Sequence, residues 1–189
     1  LPNFMSWVVV SYIVYALFAS DYGIVNVFLK SIGASPVSWY SSPGPWRVIL
    51  VLIKVWKDTG MQVVIYLAAI TGIDTSLSEA AKVDGASRLQ TIRHIIFPLM
   101  IPTVSILALL SIGKIFYGDF GMIYGIIGDN GVLYPTTDVI DTYVFRAMRK
   151  TGDPSQAMAV GLYQSLMGFL FVFGSNWIAS KKTDGGALF

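Results

Sequence analysis

The stretch "SEAAKVDGASRLQTIRHIIFP", residues 78–98, is a short polar segment between two of the most apolar parts of the chain. Ser76, followed three residues later by Glu79, has the spacing of a capping box and predicts that a helix begins there. Gly85 can adopt the positive φ that often ends a helix. Apolar residues at helical spacing follow in residues 88–96. The segment is therefore predicted to form a helix, a glycine turn and a second helix outside the bilayer.

The composition on either side of this segment is that of a membrane protein. The mean hydropathy is +0.65 and 13% of the residues are charged, against about 25% in an average soluble domain. Three uncharged runs, residues 1–20, 95–113 and 154–180, approach or exceed the length of about 20 residues that crosses a bilayer. They predict three spanning helices. The helix in the second run is expected to begin near Pro98, because a proline is tolerated best in the first turn.

Residues 46–73 form a fourth candidate span, although charged residues interrupt it. Lys54, Lys57 and Asp58 lie in its middle, and Lys54 and Asp58 are four residues apart, which allows them to pair on a helix. A helix lying partly in the membrane interface is the alternative. The length and the apolar second half favour crossing.

The segments between the spans have the composition of surface loops with short helices. Residues 20–46 are predicted to contain an interfacial helix around residues 24–32. Residues 116–153 are too polar to span and are predicted to form an external loop, with a helix at residues 139–148. Either Thr137 or Asp138 is expected to cap that helix.

Small residues recur every four positions in the last span. Ala157, Gly161 and Ser165 would form one face of the helix, and such a face allows another helix to approach closely. Close helix packing is the predicted role of this face.

Several classes of function are disfavoured by the composition. The absence of cysteine and the single histidine leave no thiolate site and no histidine cluster for zinc. A net charge of +2 is too small for a nucleic-acid footprint. Neither His94 nor Glu79 stands in a set of acid, base and nucleophile, so an enzyme is not predicted. The chain begins with Leu1 and lacks a basic region before its first apolar run, so we interpret it as part of a longer protein with upstream spans.

The opening segment also carries a recognisable pattern. Glu79-Ala80-Ala81, three residues, Gly85, nine residues and Ile95-Ile96-Phe97-Pro98 resemble the EAA loop of ABC importer permeases, with Phe97 in place of the usual leucine. The stretches "IYLAAITGID", "GDFGMIYG" and "GLYQSLMGFLFVFGSNWIA" are similar to permeases of carbohydrate importers, especially the polysaccharide or lipoprotein-associated branch. The likeness covers nearly all of the 189 residues.

This resemblance implies a fold, a location and a function. The fold would be an all-α, polytopic membrane helical bundle like that of a type I ABC importer permease, with residues 1–189 as one transmembrane permease domain. Residues 74–98 would form a cytoplasmic coupling loop, and the chain would be a multi-pass protein of the bacterial cytoplasmic membrane. Its function would be to move an oligosaccharide or polysaccharide fragment by ATP-driven alternating access.

The resemblance also implies partners. These are a second permease subunit forming a heterodimer, two ATP-binding subunits and an extracytoplasmic solute-binding protein. ATP and Mg²⁺ would bind to the ATPase subunits, so this chain would hold no cofactor. The coupling residues that dock into a cleft on the ATPase would be Glu79, Ala80, Ala81, Asp84 and Gly85.

The orientation depends on the resemblance, because basic residues on the predicted cytoplasmic side barely outnumber those outside. Charged residues at membrane depth are costly unless they face water or a partner. They suggest a path for the sugar, with stacking and hydrogen bonding from Trp56, Lys57, Tyr117, Asp119 and Gln164. A structural ion network, and interfacial anchoring of the aromatic residues, are the alternatives. The lysines would suit an acidic oligosaccharide.

Two other classes of function remain possible at this level. A secondary carrier would show coupling sites on broken helices and an inverted repeat, and no repeat is recognisable in the sequence. A non-transporting membrane scaffold or membrane enzyme is the other alternative.

Overall fold

The computed structural model describes residues 2–182, with only the backbone of Lys182, and this part of the chain is helical without β-strands. The predicted all-α class is confirmed. Two 3-10 turns, Pro2–Phe4 and Trp39–Ser41, and a π-helical turn, Ile92–Ile96, accompany the helices. The α-helices are α1 (Trp7–Phe18), α2 (Ile24–Ser31), α3 (Trp46–Thr71), α4 (Thr75–Val83), α5 (Arg88–Thr91), α6 (Phe97–Ile112), α7 (Phe120–Ile127), α8 (Tyr134–Thr137), α9 (Ile140–Thr151) and α10 (Ser155–Lys182).

Two helical stretches of the described residues are long and apolar enough to cross a membrane. They are Arg88–Ile112, with a mean hydropathy of 2.4, and Ser155–Lys181, with 1.6. Only 11% of the most apolar window of each is buried within the chain, so their apolar surface faces outward, as lipid contact requires. Helix α1 has 12 residues, fewer than a span needs, so the prediction of a spanning helix within residues 1–20 is not confirmed. Helix α3 has 26 residues, and its role as a fourth span stays a prediction.

The prediction that a helix begins near Pro98 is wrong. Helical structure continues from Arg88 to Ile112 through the π-helical turn, in which the Phe97 N–H donates to the Ile92 carbonyl. A proline lacks the N–H and crowds the carbonyl four residues earlier. The wider turn before Pro98 loosens the helix at the place where the proline would otherwise break it.

The chain divides into two compact units. The first comprises the residues up to Met61 and Tyr117–Val160, and the second comprises Gln62–Phe116 and the residues from Gly161 onward. Helix α7 packs on α1 in the first unit, where glycines allow close approach: a Cβ added to Gly121 would lie 2.9 Å from Cδ1 of Trp7. The core of this unit contains Val10, Val14, Trp46, Leu50, Met122, Ile123, Ile126, Ile127 and Leu133.

A buried asparagine organises residues 20–46, which we call the Asn26 segment. The Nδ2 group of Asn26 donates to the carbonyls of Ser20 (3.0 Å) and Val37 (2.8 Å). Its Oδ1 atom accepts from the Val37 N–H and from Nε1 of Trp39, both at 3.0 Å. Asn26 is 1% exposed, so one amide fixes a loop that composition alone describes as irregular. The short helix predicted in this segment is confirmed as α2.

The helix predicted at residues 139–148 is confirmed as α9, and its start depends on a threonine. The Thr142 hydroxyl accepts from the Val139 N–H at 3.1 Å and lies 2.6 Å from Oδ1 of Asp138, to which it donates. Val139 is the N-cap, so the prediction that Thr137 or Asp138 caps this helix is wrong. Asp138 contributes by accepting the Thr142 hydroxyl, and the hydroxyl of the buried Thr137 donates to the Leu133 carbonyl.

The second unit contains the close approach of two helices at glycines. A Cβ added to Gly168 would lie 2.8 Å from the Gly113 carbonyl oxygen. The ring of Phe116 meets Phe171 edge to face, with centroids 5.1 Å apart. A Cβ on Gly161 would meet nothing within 4 Å in the described chain, so the helix packing predicted for its face stays a prediction.

Candidate functional site

The start of helix α4 differs from the prediction. Asp74 is the N-cap, and its Oδ1 atom accepts the N–H of Ser76 at 2.9 Å. Ser76 therefore lies inside the first turn and does not cap the helix, so the predicted capping box with Glu79 is wrong. The hydrogen bond from the Ser76 amide, and to a smaller extent that from its hydroxyl, lowers the pKa of the Asp74 carboxyl.

The turn after α4 needs a glycine for its backbone conformation. Gly85 has φ +79°, and a Cβ added there would meet no atom of the described residues within 4 Å. The Ala86 N–H donates to the Ala81 carbonyl at 2.9 Å and closes the helix end. The positive φ of residue 85, and not a lack of space for a side chain, therefore favours glycine at this position.

A capping box does occur, but at the second helix of the loop. The Ser87 hydroxyl accepts the Gln90 N–H at 3.4 Å, and Oε1 of Gln90 accepts the Ser87 N–H at 2.8 Å. The signal was visible in the sequence, because Ser87 and Gln90 have the spacing of the motif. We call residues 74–98 the EAA loop from here on.

The EAA loop presents small and apolar side chains to its surroundings. Glu79, Ala80, Asp84 and Gly85 are exposed, while Ala81 is 9% exposed. Two apolar side chains near these residues are also exposed: Val83 is 89% exposed and Leu89 is 74% exposed. A cavity of about 330 Å³ on this loop is lined by Asp84, Gly85, Ala86, Gln90, Thr91, His94 and Ile95. Such a surface suits docking to another protein.

A second group of functional candidates surrounds Trp7 in the first unit. The Lys54 ammonium lies 2.7 Å from Oδ2 of Asp119 and 3.0 Å from Oδ2 of Asp58, which confirms the predicted pairing of Lys54 with Asp58. The ammonium groups of Lys54 and Lys57 lie 5.6 Å and 4.9 Å from the centre of the Trp7 ring. We call Trp7, Lys54, Lys57, Asp58 and Asp119 the Trp7 cluster.

Two of the predicted pathway residues belong to this cluster. Lys57 is 7% exposed, and its ammonium donates to the Asn3 carbonyl at 3.0 Å. Asp119 caps α7 by accepting the Met122 N–H at 3.2 Å. Both residues therefore have structural partners. Lys54 is not among the predicted pathway residues, although its ammonium contacts both carboxylates of the network. Trp7 carries no sequence signal for this position beyond its aromatic character.

The remaining pathway candidates lie elsewhere. Trp56 is 48% exposed and borders an apolar groove of about 400 Å³ between α1 and α3. Tyr117 is 44% exposed and belongs to the first unit. Gln164 belongs to the second unit, where it is 3% exposed and donates to the Phe116 carbonyl at 2.7 Å. A common sugar path through all five residues stays a prediction.

Comparison with known families gives a match over most of the chain. The profile of the family described as "Binding-protein-dependent transport system inner membrane component" matches residues 1–183. The chain is 34% identical over its whole length to the protein LplB of Bacillus subtilis and covers 58% of that protein. It is 33% identical, over 98% of its length, to the polygalacturonan/rhamnogalacturonan transport system permease protein YteP of the same organism and covers 57% of it.

Known structures give the same picture. The fold is similar to a chain in the crystal structure of a bacterial alginate ABC transporter in complex with an alginate pentasaccharide-bound periplasmic protein, with a TM-score of 0.87 and 32% identity. That match covers 97% of this chain and 64% of the other. A structure of a bacterial ABC transporter that imports the acidic polysaccharide alginate matches with a TM-score of 0.89, over 97% and 63% of the two chains. The chain thus spans a little under two thirds of the length of these relatives.

Proposed function

The chain belongs to the family of binding-protein-dependent transport system inner membrane components, and from this premise we propose that it is part of a permease subunit of an ABC importer for an oligosaccharide. The subunit pairs with a second permease and two ATP-binding subunits, and it receives its substrate from an extracytoplasmic binding protein. ATP and Mg²⁺ bind to the ATPase subunits.

The geometry of the EAA loop is the observation that carries this proposal. The loop is exposed and held by its own caps, and it leads through the π-helical turn directly into a helix long and apolar enough to cross a membrane. Ala80 and Gly85 permit close approach by a partner, and Glu79 and Asp84 offer carboxylates at its rim. The partner is the cytoplasmic ATPase.

In this mechanism the chain transmits motion and performs no chemistry. Closure of the ATPase subunits on ATP displaces the docked EAA loop, and the continuous helix Arg88–Ile112 moves with it. The membrane helices then exchange an inward-open state for an outward-open one. The ATPase can shift this equilibrium because it contacts the loop differently in its two states.

Uptake by the complete importer in proteoliposomes tests the proposal. Replacing both Glu79→Ala and Gly85→Val is expected to lower ATP-dependent oligosaccharide uptake by about tenfold or more, the range of typical coupling energies, and to release the ATPase subunits during copurification. Lys82→Ala, an exposed change on the same helix, is the matched control and should retain both properties.

The same assay separates the alternatives. Uptake that continues without ATP would indicate a secondary carrier, and copurification without any uptake would indicate a scaffold. Full uptake and ATPase attachment in the double variant would contradict the coupling role of the EAA loop.

We further propose that the oligosaccharide is acidic. Two similar proteins are named for transport of polygalacturonan or import of alginate. The Trp7 cluster supports this through Lys57. Its ammonium lies 4.9 Å from the centre of the Trp7 ring and forms no ion pair within residues 2–182, whereas Lys54 is paired with Asp58 and Asp119. A cation near a sugar-stacking face suits a uronic acid carboxylate.

Competition between acidic and neutral oligosaccharides tests the substrate class. Lys57→Ala is expected to weaken uptake of the acidic oligosaccharide more than that of a neutral one of equal length. Lys30→Ala, an exposed change in α2, serves as the control. An equal loss of uptake for both oligosaccharides would mean that Lys57 has a structural role only, through its hydrogen bond to the Asn3 carbonyl.

A further inference from the structure

A basic pocket outside the EAA loop and the Trp7 cluster has no role in the proposed transport cycle. It has a volume of about 290 Å³, opens to the surface of the first unit, and is lined by Asp129, Tyr134, Arg146, Arg149 and Lys150. Three of these five residues are cationic. The pocket is formed by α9 together with the segment between α7 and α9.

The positions of the two guanidinium groups are fixed by neighbouring side chains. Arg149 donates from Nη1 to Oδ2 of Asp129 at 2.8 Å and to the Tyr124 hydroxyl at 2.9 Å. Arg146 pairs with Asp138, and its guanidinium carbon lies 3.9 Å from the centre of the Tyr134 ring. A guanidinium carries five N–H donors, so both groups keep donors for a ligand.

One cation in the pocket has no acidic partner. Within residues 2–182, no carboxylate forms an ion pair with the Lys150 ammonium, whereas Arg146 and Arg149 are paired with Asp138 and Asp129. The three cations and two carboxylates leave one positive charge. The pocket therefore favours an anion.

The position along the chain indicates where this anion comes from. Helix α9 ends at Thr151, a left-handed Gly152 turns the chain, and α10 begins at Ser155. Side chains of α9 share a groove with Gln156, Ala159 and Val160 of α10, so α9 lies beside the first turns of a helix that is apolar enough to span. Tyrosine is enriched at the headgroup level of membrane helices, and Tyr134 lines this pocket.

We propose that this pocket binds the phosphate of an anionic phospholipid headgroup. Planar guanidinium groups and an ammonium are the usual donors to phosphate oxygens, and the helix that carries them shares a groove with the first turns of a helix apolar enough to cross a membrane. The volume of about 290 Å³ lies just below the ~300–1,000 Å³ of typical ligand sites, which fits a small group such as a phosphate.

Lipid retention by the complete transporter tests this proposal. The importer is placed in nanodiscs that contain phosphatidylglycerol and phosphatidylcholine, and the lipids that stay bound after extraction are measured by native mass spectrometry. Replacing both Arg149→Gln and Lys150→Gln is expected to weaken phosphatidylglycerol retention by roughly tenfold or more, with phosphatidylcholine unchanged. Lys30→Gln is the matched control, because Lys30 is also exposed and basic.

The other outcomes overturn the proposal. Displacement of retained phosphatidylglycerol by millimolar inorganic phosphate would identify a site for free phosphate. Unchanged lipid retention, combined with weaker attachment of the binding protein, would identify a docking site for an acidic protein surface. Native mass and helical circular dichroism of the variant exclude misfolding, and this readout does not depend on transport.

Discussion

The Asn26 segment and the EAA loop are both polar connections that lead into long helices, yet they are held in different ways. The bonds of Asn26 reach Val37 and Trp39, and the Thr136 hydroxyl donates to the Pro43 carbonyl across 93 positions. In the described structure, the hydrogen bonds of the EAA loop reach no further than five residues. The first connection is fixed by distant parts of the chain, and the second holds its own shape while leaving its position to a partner.

Removing the Asn26 side chain is expected to have the largest effect on stability among the changes that test this difference between the two connections. Asn26→Ala leaves two carbonyls, one backbone N–H and one indole N–H without their partner. Since each unsatisfied buried group costs about 1–3 kcal/mol, we expect a loss of stability of about 3 kcal/mol or more. Thermal unfolding in detergent, followed by tryptophan fluorescence, measures it.

The control for this change is Ser31→Ala, which removes one exposed bond to the Phe28 carbonyl. It should change the melting temperature little. Equal melting temperatures for the Asn26 variant and the wild type would show that the segment is not held by this amide.

Lys54 tests whether distant contacts hold the Trp7 cluster in the same way. Lys54→Met removes the cation between Asp58 and Asp119 and should destabilise the protein by about 1.5–3 kcal/mol, the usual range for hydrogen bonds to charged groups. Adding Asp119→Asn should recover part of this loss, because asparagine still caps α7. Detergent unfolding of the single and double variants gives the coupling, and additive losses would contradict the network.

Gly85 and Gly161 both have room for a Cβ among the described residues, so substituting them separates the effect of backbone conformation from that of packing. Gly85→Ala should destabilise the loop by about 1–2 kcal/mol, because an L-residue resists its positive φ. Gly161→Ala should stabilise α10 by about 0.5–1 kcal/mol, since alanine favours a helix interior. Hydrogen exchange of residues 81–86 and 157–165 measures both effects. Changes of the same sign would mean that space, and not backbone conformation, governs these positions.

The smallest effect concerns pH. Hydrogen bonds from Ser76 lower the pKa of Asp74 in the folded loop, so the cap is fully present above the unfolded pKa of about 3.9 and is lost as pH falls through the folded pKa. The protection of the amides in the first turn of α4, measured against their intrinsic exchange rate at each pH, should therefore fall below about pH 4. Asp74→Asn should remove this pH dependence, and the Asn26 segment should show none of it.

Local patterns predicted the EAA loop better than the surrounding fold. Gly85 and the order of helix, turn and helix follow from residues close in sequence, and the all-α class follows from the apolar runs. The pattern predicts Ser76 as the cap, whereas the cap is Asp74, because serine and aspartate both suit that position and the local pattern does not distinguish them. No local sequence pattern predicts the contacts of Asn26 with Val37 and Trp39 or the ion pair of Lys54 with Asp119, because these residues are not neighbours in the chain. The passage of a helix through Pro98 depends on a π-helical turn that has no known sequence signature here.

That turn has a mechanical consequence. The helix continues through the π-helical turn, so its backbone is unbroken along the axis. The wider turn is the place where we expect it to bend most easily. Displacement of Ser87 along the helix axis is therefore carried toward Ile112 by a continuous backbone, while sideways displacement is expected to bend the helix first at residues 92–96.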